Sequence, residues 1–229
     1  MSLETKKSAF QNLYTTIDLG ENSTINYHNY ENINDNSSLI NQVIINTSEN
    51  SNAKSTMSTL NGGKIQNILY AHINKGVNFE APGYCMPKNN QKIDNLSFIT
   101  HEKGYSNSNQ KFRCVADNNS FSNFYGYVEV EKDCQKVVAD QINNNILLSS
   151  TAKIESKPQL IINADDVKCS HGSTTGQLNK EAIYYMQTRG ISEQSAKNLL
   201  IEAFINDIIN EIDNKEYGEF LKNKGFNLF

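Results

Sequence analysis

The segment best equipped for chemistry is Asn163–Ser173, which contains Cys169 and His171. On an extended chain, residues at i and i+2 project from the same face. A thiolate beside an imidazole suits iron, zinc or an iron–sulfur unit, although two ligands make only half of a usual cluster site. Two other interpretations stay open. In the first, Cys169 packs as a small apolar side chain and His171 is hydrogen-bonded or exposed. In the second, the two residues form a Cys–His nucleophile pair.

The other histidines and cysteines are weaker candidates. His101 lies beside Glu102 in a Gly/Ser-rich segment, which predicts a surface histidine. The remaining residues of these types have no convergent partners, and isolated thiols are usually buried or incidental; they are His28, His72, Cys85, Cys114 and Cys134.

Familiar catalytic and nucleotide motifs are absent from the sequence. It contains no GxxxxGK[ST], GxGxxG, HExxH or GxSxG pattern. We therefore expect that this chain binds no nucleotide and hydrolyses no ATP by itself. Acyl transfer and zinc peptidase chemistry also lack support.

Composition and charge exclude further classes. The 229 residues carry 21 basic and 25 acidic side chains and a net charge of −4, without the basic footprint of a nucleic-acid binder. No apolar stretch approaches the ~20 residues that cross a bilayer. No apolar segment follows the lysines near the start, so we expect no secretory signal and a cytoplasmic protein with reduced thiols. Asn makes up about one residue in seven, yet enough Ile, Leu, Val, Tyr and Phe remain to form a core.

Residues 1–176 alternate short β-like runs with polar clusters, which predicts a β domain. The uneven spacing of the runs suits a β-helix, but spacing alone does not distinguish a β-helix from a sandwich. The clearest runs are Gln42–Ile45, Leu96–Ile99, Tyr125–Val130, Asn145–Leu148 and Gln159–Ile162.

Residues 177–229 have a helical period. Asn179 predicts the N-cap of a first helix that Gly190 ends, Ser192 opens a longer helix, and Lys215–Lys224 predicts a third helix that stops at Gly225. We expect the long helix to bury the stripe Ala196, Leu199, Leu200, Ala203, Phe204, Ile208 and Ile212. We also expect the final apolar residues, Phe226, Leu228 and Phe229, to be docked rather than free.

Several motifs resemble the SufB/SufD family of the SUF iron–sulfur cluster assembly system. They are Ser156–Leu160, Ala164–Gly172, Gly176–Leu178, Tyr185 with Arg189–Ile191, the run His101–Gln110, and Gln141–Leu148. The similarity is specific over about residues 95–215 and weaker before residue 90.

This resemblance implies a right-handed parallel β-helix followed by C-terminal helices. It implies pairing with a SufB-like subunit through the β-helix, and places Cys169 and His171 at that interface, where a transient iron–sulfur cluster forms. It also implies that the helical segment 179–212 docks a SufC-like ABC-type ATPase.

SufB-type chains carry a ligand cysteine on the strand that corresponds to Gln141–Leu148, where this sequence has Asn143, Asn144 and Asn145. The missing thiol favours the SufD type and implies that the partner supplies further ligands. The residues that the resemblance assigns to partner contacts are Asn143, Asn145, Asp166, Lys168, Tyr185 and Arg189. The implied compartment is the cytoplasm, or the plastid stroma in a plastid-bearing cell.

The leading hypothesis is a non-enzymatic scaffold subunit for cluster assembly. The first alternative is a purely structural β-helix module in which Cys169 and His171 only pack. The second is an unrelated β-helix enzyme acting on polysaccharide, which would need a carboxylate cluster along a groove, whereas the aspartates here are scattered. Typical family members have an N-terminal helical domain and a longer β-helix, so we expect a reduced version or a piece of such a protein.

Overall fold

The computed structural model describes residues 2–4 and 7–225; Phe226, Leu228 and Phe229 lie outside them. The chain forms thirteen strands followed by three helices. The strands are β1 Ser2–Glu4, β2 Phe10–Asp18, β3 Thr24–Asn32, β4 Ser38–Asn46, β5 Asn52–Asn61, β6 Lys64–Ile73, β7 Asn78–Cys85, β8 Lys92–His101, β9 Asn107–Ala116, β10 Phe121–Val130, β11 Val138–Leu147, β12 Lys153–Ile162 and β13 Lys168–Gly176. The helices are α1 Lys180–Thr188, α2 Glu193–Ile209 and α3 Lys215–Gly225.

Successive strands alternate between two parallel sheets. The seven odd-numbered strands, β1 to β13, form the odd sheet, and the six even-numbered strands, β2 to β12, form the even sheet. Each strand pairs with the strand two elements later, so the chain makes one coil and returns beside itself. The predicted parallel β-helix is confirmed, and the register of the strands resolves the choice that spacing left open.

Strand alternation gives the β-helix an inner face and an outer face. Along β8, the side chains of Ile93, Asn95, Ser97, Ile99 and His101 are buried, and those between them are not. Apolar side chains fill much of this lumen in two clusters. The cysteines Cys85, Cys114 and Cys134 are buried, in agreement with the prediction.

The corners between strands explain part of the high Asn content. Asn22, Asn50, Asn89 and Asn118 all adopt φ between 54° and 58°, a left-handed conformation that Asn tolerates better than most residues. Other corners adopt positive φ at Gly76, Tyr105, Asp133 and Lys136, so Asn is one of several residue types that serve there.

The helices begin and end as predicted. Asn179 Oδ1 accepts a hydrogen bond from the Ala182 amide at 3.1 Å, and Ser192 Oγ accepts one from the Ser195 amide at 3.1 Å. Gly190 follows α1 with φ +86°, where a side chain would be strained.

The buried face predicted for α2 is wrong in part. Leu199 is 45% exposed and Ala203 is exposed, whereas Ile201, Ile205 and Ile209 are buried. The buried face of α2 packs against outward-facing side chains of the odd sheet and its edge, which include Tyr30, Leu60, Tyr84, Met86 and Val115. Apolar residues occupy more than one face of α2, so the choice of face depends on the surface that receives the helix.

Ion pairs on the odd sheet help to select this face. Lys111 Nζ lies 2.7 Å from Asp207 Oδ2 and 2.6 Å from Glu211 Oε1, and Arg113 pairs with the same Asp207. The Arg113 guanidinium also lies 4.4 Å from the centre of the Phe204 ring. Two residues of β9, two of α2 and Glu211 just after α2 thus fix the rotation of the helix. Within the described residues, no helix is long and apolar enough to span a bilayer.

Candidate functional site

The β-helix has an open end at its last coil. In the part of the chain that the structure describes, β12 pairs only with β10 and β13 pairs only with β11. Inner-face side chains that are buried on the preceding coil therefore have partly exposed counterparts here; Ile154, Pro158 and Leu160 on β12 are half-buried. We call this surface, made by the inner faces of β12 and β13, the open end.

Cys169 lies on the inner face of β13, in register with Ala139 of the preceding coil. It is half-buried and packs against the apolar cluster that includes Val137 and Ala139. Burial raises the pKa of the Cys169 thiol, and the nearby Asp140 carboxylate raises it further, against a lowering contribution from a hydrogen bond with the Ala139 backbone. In this chain by itself Cys169 is therefore a thiol, and a metal or a partner's cation would be needed to favour the thiolate.

His171 lies two residues further along the same extended strand, in register with Gln141, and is exposed. Residues two apart on a strand share a face, so the thiol and the imidazole both belong to the open end. Within residues 2–4 and 7–225, no group of three or more His, Cys, Asp or Glu side chains could hold a metal ion. The pair supplies at most two of the four ligands that a cluster usually takes.

The two asparagines assigned to partner contact, Asn143 and Asn145, lie in the lumen and are buried. Asn145 Nδ2 donates to Asn143 Oδ1 at 2.7 Å, and Ser156 Oγ donates to the same oxygen at 2.6 Å. Ser156 and Ser173 then bridge the two strands of the open end, with their Oγ atoms 2.7 Å apart. In this arrangement the asparagines support the open end from beneath, and their side chains are buried within this chain.

Asp166 and Lys168 lie at the rim of the open end and are exposed. Asp166 forms an ion pair with Lys136, and its backbone amide donates to Gln135 Oε1 at 2.8 Å. Both charges are therefore accessible beside Cys169 and His171.

Tyr185 lies on α1, in which no residue is buried, and Arg189 is the C-cap residue of this helix. Arg189 Nη2 donates to the Tyr185 hydroxyl at 3.0 Å, and the guanidinium lies 5.3 Å from the centre of that ring. Tyr185 is 60% exposed and Tyr184 is 69% exposed. A groove of about 650 Å³ separates α1 and the start of α2 from the turn after β11, with Leu148, Leu178, Ile183 and Ile201 among its lining side chains. The helical segment thus offers exposed aromatic side chains beside a groove of mixed polar and apolar lining.

The prediction that His101 is a surface histidine is wrong. Its side chain is fully buried, with Nδ1 and Nε2 each 2.8 Å from a serine hydroxyl, of Ser106 and Ser108 respectively. The alternation of β8, in which His101 shares parity with Ile99, carries the signal of burial. Burial lowers the pKa of His101 to about 4, so a neutral imidazole ties the corner after β8 to β9.

This geometry predicts a specific pH dependence of stability. The folded-state pKa of His101, about 4, lies below the ordinary 6.5, so the unfolded chain binds the extra proton as the pH falls. The contribution of neutral His101 is complete above pH 6.5 and is lost between pH 6.5 and pH 4. From pH 7.5 to pH 5 it should lower the free energy of unfolding by about 2 kcal/mol. Urea unfolding should show this loss in the wild type and not in His101→Gln; equal losses in both proteins would contradict the assignment.

The chain is similar to a family model and to several known proteins. Residues 1–204 match the family model described as SUF system FeS cluster assembly, SufBD core domain. The chain is 38% identical over 120 residues to the iron-sulfur cluster assembly protein SufD of Escherichia coli, which covers 52% of this chain and 28% of that protein. It is 32% identical over 165 residues to protein ABCI7, chloroplastic, of Arabidopsis thaliana, which covers 71% and 35% respectively. A third relative, the iron-sulfur cluster assembly protein SufD of Plasmodium falciparum, is 26% identical over 225 residues, covering 98% of this chain.

The chain spans only part of these relatives. It covers 28% of the Escherichia coli protein, 35% of the Arabidopsis protein and 15% of the Plasmodium protein.

Proposed function

Because this chain belongs to the SufBD core family of the SUF system for iron–sulfur cluster assembly, we propose that it is a scaffold subunit of the SufD type. It would hold one side of the site where a nascent cluster forms. The cluster is cargo here, made at an interface and passed on. The observation that carries the proposal is the placement of Cys169 and His171 together on the inner face of an open last coil.

The open end is suited to pairing with a second β-helix. β12 and β13 each have one edge that no described strand covers, and an uncovered strand edge is a template for another strand. The occupant that we propose is a SufB-like subunit, which would bury the half-exposed apolar side chains of β12 and supply further ligands. Asp166 and Lys168 at the rim would contribute to alignment of the two subunits.

The helical segment would dock a SufC-like ABC-type ATPase. The exposed Tyr184 and Tyr185 on α1 and Arg189 at its C-cap provide the aromatic and cationic side chains that are common in interfaces. The ion pairs from Lys111 and Arg113 join α2 to the β-helix, so a force on the helices would reach the strands. In this proposal the partner hydrolyses ATP, and our chain binds no nucleotide and is not itself catalytic. Its compartment would be the cytoplasm or a plastid stroma.

A purely structural role is the second candidate. It is favoured by the packing of Cys169 against the apolar cluster and by the raised pKa of its thiol. In that case the open end would bind the partner without contributing any ligand.

Anaerobic reconstitution with iron and sulfide tests the two candidates. The chain is assembled with the SufB-like subunit and the ATPase of its own organism, and cluster formation is followed by visible absorption. We expect Cys169→Ser to leave the complex intact and to reduce the cluster absorbance several-fold. Cys114→Ser, which removes a thiol that is buried in the middle of the β-helix, is the matched control and should retain the absorbance. Full absorbance in Cys169→Ser would favour the structural role, and failure of the wild-type chain to join the complex would exclude both.

A further inference from the structure

A buried glutamine lies directly beneath His171. Gln110, Gln141 and His171 occupy the same register position on three successive strands of the odd sheet, β9, β11 and β13. Gln141 is fully buried, and its Nε2 donates to Gln110 Oε1 at 2.7 Å. Its carbonyl oxygen, Oε1, is buried and has no hydrogen-bond partner among the described residues. Leaving a buried acceptor unpaired is costly, on the order of 1–3 kcal/mol.

The amide of Gln141 has a defined direction. Its NH2 group is directed at the preceding coil, and the oxygen of an amide points away from its nitrogen. The unpaired acceptor is therefore turned away from Gln110, and the residue in register on the following coil is His171, with which it makes no hydrogen bond in this structure. Stacked amides commonly form such ladders, each donating to one neighbour and accepting from the other.

Gly126, across the lumen, leaves space for the Gln141 side chain. A Cβ atom at Gly126 would overlap the Gln141 amide nitrogen, so the absence of a side chain there makes room for the amide. The position of Gln141 is thus set by both sheets.

A neutral imidazole has one N–H donor and one acceptor nitrogen, and the hydrogen bond that one nitrogen makes decides the state of the other. An acceptor beneath His171 would hold the proton on the nitrogen that faces inward. The lone pair of the other nitrogen would then face out of the open end, where a metal ligand is required.

We propose that Gln141 is a positioning residue: its Oε1, unpaired in this structure, accepts a hydrogen bond from the inward ring nitrogen of His171 and so fixes the tautomer and the ring orientation. The consequence for cluster assembly rests on the proposed function, whereas the tautomer can be measured in this chain alone.

The test is the ring nitrogen NMR of His171 in the ¹⁵N-labelled chain at pH 8, assigned by its loss in His171→Ala. In the wild type we expect a single tautomer, with well separated nitrogen shifts. In Gln141→Met, which keeps the length of the side chain and removes the acceptor, both shifts should move toward those of a solvent-exposed histidine. Should Gln141→Met not fold, Gln141→Asn keeps an amide but withdraws it by one methylene, and should show the same change.

Asn95→Leu is the matched control, because it also replaces a buried lumen amide by an apolar side chain, on the other sheet. It should leave the His171 shifts unchanged. Identical His171 shifts in the wild type, Gln141→Met and Gln141→Asn would overturn the proposal, as would a mixed tautomer in the wild type.

Cluster formation in the assembled complex separates this proposal from the proposed function. We expect Gln141→Met to slow it about 10- to 100-fold, the usual cost of losing a group that orients a ligand. Unaltered cluster formation in both Gln141→Met and His171→Ala would count against the proposed function and leave the tautomer result standing. Unaltered formation in Gln141→Met together with loss in His171→Ala would reject the positioning role alone.

Discussion

Replacing His171 with alanine should abolish cluster maturation in the assembled complex, with a fall in rate above about 100-fold, more than the loss of an orienting group costs. The imidazole is the exposed member of the pair on the inner face of β13, and no other described residues form a set of three that could compensate. Association with the SufB-like subunit should persist, because the strand edges and the apolar side chains of β12 remain. The measurement is the rate of cluster formation and transfer, with size-exclusion chromatography to confirm the complex.

His72→Ala is the matched control for this experiment. His72 is also partly exposed, but it lies on the outer face of β6, where its Nδ1 is 2.8 Å from Glu102 Oε1. Its removal should leave maturation unchanged. Wild-type rates in His171→Ala would remove the imidazole from the ligand set, and equal losses in both variants would show a general defect.

Removing the carboxylate of Glu31 should cause the largest loss of stability of any substitution considered. Glu31 is fully buried, and its two oxygens accept four side-chain hydrogen bonds of 2.8–3.0 Å, from Asn29, Asn41, Thr59 and Asn67. Glu31→Ala leaves these donors unpaired, at about 1–3 kcal/mol for each buried group. The total, on the order of 5 kcal/mol, is comparable with the whole stability of many domains. Urea unfolding provides the measurement.

Glu49→Ala, at an exposed corner of the β-helix, is the control and should change the free energy of unfolding by less than about 0.5 kcal/mol. A cost below about 1 kcal/mol for Glu31→Ala would contradict the role assigned to the buried carboxylate.

The same carboxylate predicts a second pH dependence, of opposite sign to that of His101. Burial raises the pKa of Glu31, and its four hydrogen bonds oppose this increase. The folded state therefore keeps the proton longer than the unfolded chain. The associated stability is complete below the ordinary pKa and is lost as the pH rises through the raised value. Glu31→Gln should remove this dependence.

Local chemistry in the sequence was sufficient for much of the fold. The short β-branched and aromatic runs lie on strands, and Asn179, Ser192 and Gly190 mark helix ends as predicted, because capping depends on one side chain and its adjacent backbone. The motifs from Ala164 to Gly172 identified the family, since they are contiguous along the chain. The thiol and imidazole of the open end were found in this way.

Whether a given side chain is buried or exposed was harder to predict from the sequence. His101 was expected at the surface and is buried, and α2 buries Ile201 and Ile205 in place of Leu199. For His101 the alternation of β8 carried the signal, and its partners Ser106 and Ser108 are close in sequence. For α2, apolar residues occupy more than one face, and the choice depends on strands far away in the sequence.

By itself the sequence determined the strands, the helix ends, the family and the pair Cys169 and His171, because each depends on neighbouring residues. Only the tertiary structure showed that Gln141 lies beneath His171 and that four donors surround Glu31. The step from Gln141 to His171 and the hydrogen bond from Thr59 to Glu31 each join successive coils about 30 residues apart. They depend on the register in which the coils stack, and local sequence does not specify that register.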